Sequence, residues 1–128
     1  MAKSIVSSPK VKTVPGAPYS PGTRAGNLVF VAGMLALDGN GQMVGRGDVG
    51  AQTRQVLENV KAIVEAAGGR LGDIVKTTVF ITDMANFAAM NEVYKTYFPS
   101  EPPARSTIRA DLVNNDFLVE IEAIAVLG

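Results

Sequence analysis

The apolar run from Leu28 to Leu37 constrains the fold more than any other feature of this 128-residue chain. It is apolar at odd and even positions alike, and Asp38-Gly39-Asn40-Gly41 follows it directly. Glycines in such a cluster suit the positive φ angles of a tight hairpin turn. The run therefore predicts a strand that is buried on both faces and ends in a turn.

Two segments repeat apolar residues every three or four positions, a spacing typical of one face of a helix. The first begins after Asp48, a suitable N-cap, and ends at Gly68-Gly69. The second begins after Asp83, also a capping residue, and stops at Pro99. The apolar stripes are Val49, Val56, Leu57, Val60, Ile63, Val64 and Ala67 in the first segment, and Phe87, Met90, Val93, Tyr94, Tyr97 and Phe98 in the second.

Five further segments predict strands. Ile5-Val6 is a short edge strand before an irregular loop rich in Pro and Gly, and another short strand follows the turn after Leu37. Residues 74–82 are β-branched and partly alternating. Residues 105–112 and 117–126 flank a turn-forming cluster at 114–116, so they pair most simply as an antiparallel hairpin.

This order of elements predicts one α+β domain over residues 1–128, with two β-α-β crossovers and a single mixed β-sheet carrying both helices on one face. The opposite face of the sheet is then uncovered. Residues 28–37 and the final strand nevertheless carry apolar side chains on both faces. Closed self-association would cover them, so we expect a homo-oligomer with sheet surfaces facing its interior.

Composition removes several classes of chemistry. The chain has no His and no Cys, which excludes a Ser-His-Asp or Cys-His nucleophile, disulfides and a zinc site of the ordinary N/S type. Lys+Arg and Asp+Glu are 12 each, so nonspecific nucleic-acid binding lacks its main driving force. The glycine clusters match no phosphate-binding loop. We therefore expect no nucleic-acid partner and no metal.

A membrane role has equally little support. The run from Leu28 to Leu37 is about half of the ~20 residues that a membrane-spanning helix needs. Residues 1–4 lead into no signal-peptide core. The expectation is a cytoplasmic protein without a membrane partner.

Arg105 is the first candidate for ligand binding. It opens an apolar strand directly after the stiff Pro102-Pro103 pair, which places its guanidinium at the sheet rim. A planar cation there suits bidentate recognition of a carboxylate, although a cross-strand ion pair is the structural alternative. In the predicted hairpin, Arg109 falls opposite or diagonal to Glu120 and Thr107 falls near Glu122, so the ion-pair interpretation is favoured for Arg109. The positions most nearly opposite Arg105 are apolar, which leaves both interpretations open for Arg105.

Glu120 and Glu122 form the second candidate group, because residues at i and i+2 share one face of a strand. Paired acids can divide acid and base roles, but they can also form a polar strip that faces solvent. Leu118, Ile124 and Val126 share this face. A carboxylate held against such apolar walls can orient or deprotonate a water molecule.

Three other residues allow both a structural and a functional interpretation. Tyr19 can close a pocket with its ring and hydroxyl, or lie on the surface of its loop. Gly33 can admit a ligand to the backbone, or mark a bulge in the strand. Asn91, judged from its helical position alone, is a solvated helix residue.

Taken together, the motifs closely resemble the Rid (YjgF) family of reactive intermediate deaminases, over nearly the whole chain. The segments that carry the resemblance are Ala17-Pro18-Tyr19-Ser20, residues 55–68 (QVLENVKAIVEAAG), residues 73–80 (DIVKTTVF), Pro103-Ala104-Arg105-Ser106 and residues 120–125 (EIEAIA). The resemblance implies a homotrimer of chorismate-mutase-like subunits, whose sheets pack inward as a barrel and whose ligand sites lie in the clefts between subunits.

The resemblance also implies roles for individual residues. Arg105 would grip the carboxylate of a 2-aminoacrylate-type enamine or its 2-imino acid tautomer, and Glu120 would position the attacking water. Backbone amides near Gly33 and Thr107 would assist, and Tyr19 would line the cleft. Asn91 matches an asparagine of the second helix, with a substrate-binding role.

The implied reaction is cofactor-free hydrolysis of a small 2-enamino or 2-imino acid to a 2-keto acid and ammonia. Two positions depart from the archetypal deaminases, which usually have Ser in place of Ala32 and Cys in place of Thr107. The alternatives are binding of a keto acid or other small carboxylate without catalysis, action through protein contact, and an aminoacrylate-handling role in pyrimidine catabolism. A nuclease role, sometimes proposed for relatives, is disfavoured by the zero net charge and the lack of His.

Overall fold

Residues 2–128, the part of the chain that this computed structural model describes, contain six strands and two α-helices. The elements are β1 Ser4–Val6, β2 Gly22–Ala25, β3 Leu28–Met34, α1 Val49–Ala66, β4 Ile74–Ile81, α2 Phe87–Tyr97, β5 Ala104–Arg109 and β6 Val119–Val126. The strands form one sheet in the order β1-β2-β3-β6-β4-β5.

The sheet is mixed, as the order of elements predicts. β4 and β5 pair in parallel across α2, whereas β6 is antiparallel to both of its neighbours, β3 and β4. Helix α1 contacts α2, β3 and β6. The expected α+β architecture, with one sheet and two helices, is confirmed. Neither helix within residues 2–128 is long and apolar enough to span a bilayer.

Both helices begin near the predicted capping residues, but not in the same way. The Asp48 side chain accepts a hydrogen bond from the amide of Ala51 at 3.0 Å and caps α1, which ends before Gly68 at φ 92°. Asp83 instead accepts from the amide of Ala85 at 2.9 Å and caps a short 3-10 turn over Met84–Asn86. Helix α2 therefore starts later than the sequence predicts.

The predicted hairpin of the last two strands is wrong. β6 lies in the middle of the sheet between β3 and β4, and β5 forms the edge. Alternate residues of β6 are fully buried, which suits a central strand, while the Arg- and Ser-containing β5 is largely exposed. The connection over residues 110–118 is long enough to carry the chain past β4.

The cross-strand partners expected from that hairpin are wrong as well. Arg109 pairs with Ile81 and Thr107 with Val79, both on β4. Glu120 pairs with Phe80. The structural explanation of Arg109 as the ion-pair partner of Glu120 therefore does not hold.

The first half of the sheet also differs from expectation. β2 was not predicted, because its sequence GTRA lacks apolar alternation. β3 ends at Met34 rather than Leu37, after a change of register between Val31 and Met34 where it pairs with β6. The short strand expected after the turn is a single bridge between Leu37 and Met43.

β3 is buried on one face only within this chain. Val29 and Val31 pack into the core, while Leu28 is 39% and Phe30 is 42% exposed. The ladder partners place a further set of side chains on the same side of the sheet as Phe30. We call this side the open face; its large apolar members include Ile5, Leu28, Phe30, Phe80, Ile108, Ile124 and Val126. It is the uncovered apolar face that the sequence predicts.

Candidate active site

Arg105 lies on the helix face of the sheet, opposite Thr77 in the parallel β4–β5 ladder. Its guanidinium carbon is 4.7 Å from the ring centre of Tyr94 and 5.6 Å from that of Phe87. The ion pairs found within residues 2–128 do not include Arg105. A cation held on aromatic rings without a carboxylate partner is free to bind an anionic ligand.

A cavity of about 380 Å³ opens beside Arg105. Its walls come from α2, the Pro-rich segment before β5 and Arg105 itself: Asn91, Glu92, Tyr94, Lys95, Phe98, Pro102, Pro103 and Arg105. Asn91 is half-buried, and its side-chain oxygen is buried without a hydrogen-bond partner. The expectation that Asn91 is a solvated helix residue is therefore wrong.

Glu120 lines a second cavity, of about 320 Å³, on the other side of the sheet. Its walls are Val14, Ala17, Tyr19, Ala32, Gly33, Leu35, Val113 and Glu120. Gly33 lies in the bulge of β3, and a Cβ atom there would be 2.8 Å from the Glu120 carboxyl carbon. The two interpretations of Gly33, a bulge and a point of close approach, thus apply together.

The surroundings of Glu120 change its acidity. Burial raises the pKa of the Glu120 carboxyl above its ordinary value, and the nearby charge of Glu122 raises it further. A carboxylate whose conjugate acid has a raised pKa is a stronger base. Glu120 can therefore both accept and return a proton.

Tyr19 stands at the mouth of the second cavity. Its hydroxyl oxygen accepts a hydrogen bond from the amide of Val14 at 2.8 Å, which leaves the hydroxyl proton free to be donated. The ring is exposed on its outer side. Tyr19 is both a surface residue and a cavity residue, as the two interpretations of its loop allow.

Thr107 lies on the helix face, next to Val79 in the ladder. Its hydroxyl is buried and has no hydrogen-bond partner. That hydroxyl is therefore shielded from solvent within the chain.

The six predicted site residues thus fall into two groups on opposite faces of the sheet. Arg105, Asn91 and Thr107 belong to the helix face. The other group, Tyr19, Gly33 and Glu120, surrounds the second cavity. Neither of the two cavities contains both Arg105 and Glu120.

Two buried polar residues of α1 support the second cavity. The Gln52 side chain donates to the carbonyls of Gly45 and Asp116, at 3.2 and 2.9 Å, and accepts from the amide of Leu118 at 2.8 Å. Asn59 donates to the carbonyls of Leu35 and Leu37.

Neither Gln52 nor Asn59 was predicted from the sequence to have a role near the site. The sequence does indicate that both are buried, because each lies three residues after an apolar member of the helix stripe. Gln52 follows Val49, and Asn59 follows Val56. Polar side chains buried in such a stripe usually bond to the backbone of another segment.

Residues 2–128 contain no group of three or more acidic side chains that could hold a metal ion. The groups that can act on a ligand are therefore the guanidinium, the carboxyl, the amide and hydroxyl side chains, and the backbone amides described above.

Comparisons with known proteins agree with this fold. The family model described as Endoribonuclease L-PSP matches residues 10–127. The structure of Escherichia coli TdcF with bound serine is 42% identical, covers 98% of this chain and 99% of its own, and superposes with a TM-score of 0.89. The Escherichia coli YjgF gene product is 41% identical, with 96% and 98% covered and a TM-score of 0.87.

YyfA from Yersinia pestis, described as a protein of unknown function of the conserved Rid family, is 36% identical. It covers 98% of this chain and 100% of its own, with a TM-score of 0.90. The match of the family model over nearly all of the chain confirms the resemblance seen in the motifs. The chain belongs to the Endoribonuclease L-PSP family, which includes the YjgF and Rid proteins.

Proposed function

We propose that this protein hydrolyses small 2-enamino and 2-imino acids, such as 2-aminoacrylate with 2-iminopropanoate and the four-carbon 2-iminobutanoate, to 2-keto acids and ammonia. The observation that carries the proposal is the guanidinium of Arg105, held over two aromatic rings beside a cavity and paired with no carboxylate within residues 2–128. A substrate carboxylate is the natural partner of such a group. The chain's net charge of +0 does not favour RNA as the substrate.

The reaction needs groups from both faces of the sheet. We propose that the protein is a homotrimer in which Arg105 of one subunit and Glu120 of the next line the same cleft. Two features support this arrangement: the two residues lie in separate cavities of one chain, and the apolar open face carries Glu120. Cyclic symmetry repeats one such contact around a closed ring.

The proposed chemistry uses few groups. Arg105 binds the carboxylate. An enamine substrate first takes a proton from water at C3 and releases a proton from its nitrogen to water, which gives the imine. Water then adds to C2, forming the C2–O bond while Glu120 accepts a proton from the water. Glu120 returns that proton to the nitrogen, which gives a carbinolamine with a hydroxyl and an amino group on C2. Glu120 then takes the hydroxyl proton and passes it to the amino group, so the C2–N bond breaks, ammonia leaves and the hydroxyl oxygen becomes the ketone oxygen.

Turnover of freshly generated imine tests the proposal. 2-Iminopropanoate and 2-iminobutanoate are produced in the assay, and keto-acid formation is followed against the spontaneous rate. We expect acceleration by the native protein, a loss of at least about 100-fold in Arg105→Ala, and near-native turnover in Arg109→Ala, a neighbouring arginine of β5. No acceleration by the native protein contradicts the proposal.

Ligand binding without catalysis is the second candidate function. A relative with bound serine and the absence of a side-chain hydroxyl at Ala32 favour it. Titration of the native protein with 2-oxobutanoate separates the two functions. Arg105-dependent binding without turnover of either imine supports the binding function and contradicts the enzymatic one.

Mixed oligomers test whether the site spans two chains. Arg105→Ala and Glu120→Gln are each expected to be inactive. When both are unfolded together in equal amounts and refolded, about a quarter of the sites contain Arg105 from one chain and Glu120 from the next. Roughly a quarter of native turnover is therefore expected in the mixture. If the mixture recovers no turnover, Arg105 and Glu120 act within one chain and the shared site is contradicted.

A further inference from the structure

Arg105, Tyr94 and Thr77 form a closed triangle of contacts on the helix face. Thr77 is the ladder partner of Arg105 across the β4–β5 pair. The Thr77 and Tyr94 hydroxyls are 2.6 Å apart and hydrogen-bonded, and the Tyr94 ring lies 4.7 Å beneath the Arg105 guanidinium. Each member of the triangle is thus held by the other two.

The two rings under Arg105 differ in how firmly they are held. Phe87 is 39% exposed and sits at the start of α2. Tyr94 is only 6% exposed, packs on Phe98 with 4.8 Å between ring centres, and is tied through its hydroxyl to β4. The position of the guanidinium therefore depends mainly on Tyr94.

Thr77 is unusual for its place in the strand. It is a polar residue that is fully buried, whereas the other buried residues on the same face of β4, Val79 and Ile81, are aliphatic. A valine would fill this volume without leaving a hydroxyl to satisfy. The hydroxyl has one side-chain partner, Tyr94, so its contribution is to hold that ring.

We propose that Thr77 is a positioning residue for substrate binding, which acts by holding the Tyr94 ring in the place where it supports the carboxylate-binding guanidinium of Arg105. This proposal rests on the proposed function in assigning the carboxylate to Arg105. Without the hydrogen bond the ring can tilt, and the guanidinium loses its fixed support. Binding of the carboxylate then weakens, while Glu120, which the neighbouring subunit contributes in the proposed trimer, keeps its position and its proton transfers.

The test compares KM with kcat for 2-iminobutanoate, and measures the Kd of 2-oxobutanoate by calorimetry. Thr77→Val is expected to raise KM and Kd about five-fold, the effect of one ordinary hydrogen bond, with kcat changed less than about two-fold. Tyr94→Phe removes the same bond from the other side and is expected to give the same shift. The double variant is expected to match either single variant, and Thr77→Ser to restore native binding.

Thr53→Val is the matched control. Thr53 is also fully buried, and its hydroxyl donates to the carbonyl of Val49 at 2.7 Å, but it lies in α1 and is not part of the triangle. It is expected to lose stability with no change in KM or Kd. Native KM and Kd in a folded Thr77→Val overturn the proposal, as does multiplication of the two single effects in the double variant.

Failure of the proposed function gives a different result. If the native protein binds 2-oxobutanoate through Arg105 but hydrolyses neither imine, the enzymatic function fails and the Kd series still decides the role of Thr77. If the native protein shows no binding that depends on Arg105, the positioning role is overturned as well.

Discussion

The carboxyl group of Glu120 packs directly against the Cα atom of Gly33, at the bulge where β3 changes register against β6. A methyl group at Gly33 would lie 2.8 Å from the carboxyl carbon and still closer to one of the carboxylate oxygens. Only hydrogen fits there without displacing Glu120. The glycine thus sets the position of the proposed general base.

Gly33→Ala tests this relationship. The added methyl group is expected to push the carboxyl aside and to lower kcat about 10- to 100-fold, because small displacements of a catalytic group have effects of that size. Turnover of 2-iminobutanoate and thermal unfolding are measured together. Gly72→Ala is the control, since the nearest atoms to a Cβ there are 3.8 Å away on the Arg70 side chain. Native kcat in Gly33→Ala would show that the exact position of Glu120 is unimportant.

The raised pKa of Glu120 predicts how stability depends on pH. Between the ordinary value of 4.5 and the higher value in the folded chain, the folded state holds more protons than the unfolded state. The free energy of unfolding contributed by this group therefore falls as pH rises through that window. Glu120→Gln removes the effect, so the variant is expected to gain stability relative to the native protein at pH 7 but not at pH 4.

Urea unfolding at the two pH values checks this prediction. Glu122→Gln removes only the smaller cause of the shift, so it is expected to change the pH dependence in the same direction but by less. An equal stability difference between Glu120→Gln and native protein at pH 4 and pH 7 contradicts the prediction.

The unpartnered hydroxyl of Thr107 predicts a stabilising substitution. Thr107→Val keeps the shape of the side chain and removes a buried hydroxyl that has no hydrogen bond. The free energy of unfolding is expected to rise by about 1 kcal/mol, and KM is expected to stay native because the buried hydroxyl is not accessible to a ligand. Urea denaturation measures the change. Thr77→Val, which breaks a hydrogen bond, serves as the opposite case and is expected to lose stability.

Local patterns predicted the helices and most of the strands, since spacing and capping residues act within a few positions. The pairing of β6 was beyond them. Residues 114–116 favour a turn, but the alternating apolar residues of β6 are most stable between two strands, and that preference depends on β3 and β4, which are distant in sequence. Local turn propensity was overridden by burial in the centre of the sheet.

The candidate site, too, could be predicted from the sequence only in part. The motifs identified Arg105, Glu120, Gly33, Tyr19 and Asn91 individually, but the sheet face of each depends on strand pairing. The wrong hairpin placed Arg109 near Glu120, whereas the observed order puts Phe80 there. Gln52 was missed because one polar residue in an apolar stripe does not reveal which backbone groups it will meet.

Gln52 is expected to be the strongest anchor of the loop before β6. Gln52→Leu leaves the amide of Leu118 and the carbonyls of Gly45 and Asp116 without this partner, and the expected loss is about 2–4 kcal/mol in the free energy of unfolding. Chemical denaturation measures it. Glu65→Gln, an exposed change in the same helix, is expected to stay within about 0.5 kcal/mol of native. A similarly small change in Gln52→Leu would contradict the anchoring role.

The open face predicts how assembly and activity depend on each other. Phe30 lies at the centre of the open face, between Thr23 and Ile124 in the ladder, and is 42% exposed. Phe30→Asp is expected to leave the helix-face core and the circular dichroism spectrum intact, but to convert the proposed trimer to monomers in sedimentation velocity. Because the proposed site takes Arg105 and Glu120 from different chains, turnover is expected to fall with the trimer fraction.

Met84→Asp is the control for adding a charge at an exposed apolar side chain, since Met84 is 44% exposed in the turn before α2. This variant is expected to keep both the trimer and native turnover. Full turnover by a monomer, whether of the native protein or of Phe30→Asp, contradicts the prediction. Arg105 and Glu120 would then have to act within one chain, where they lie on opposite faces of the sheet.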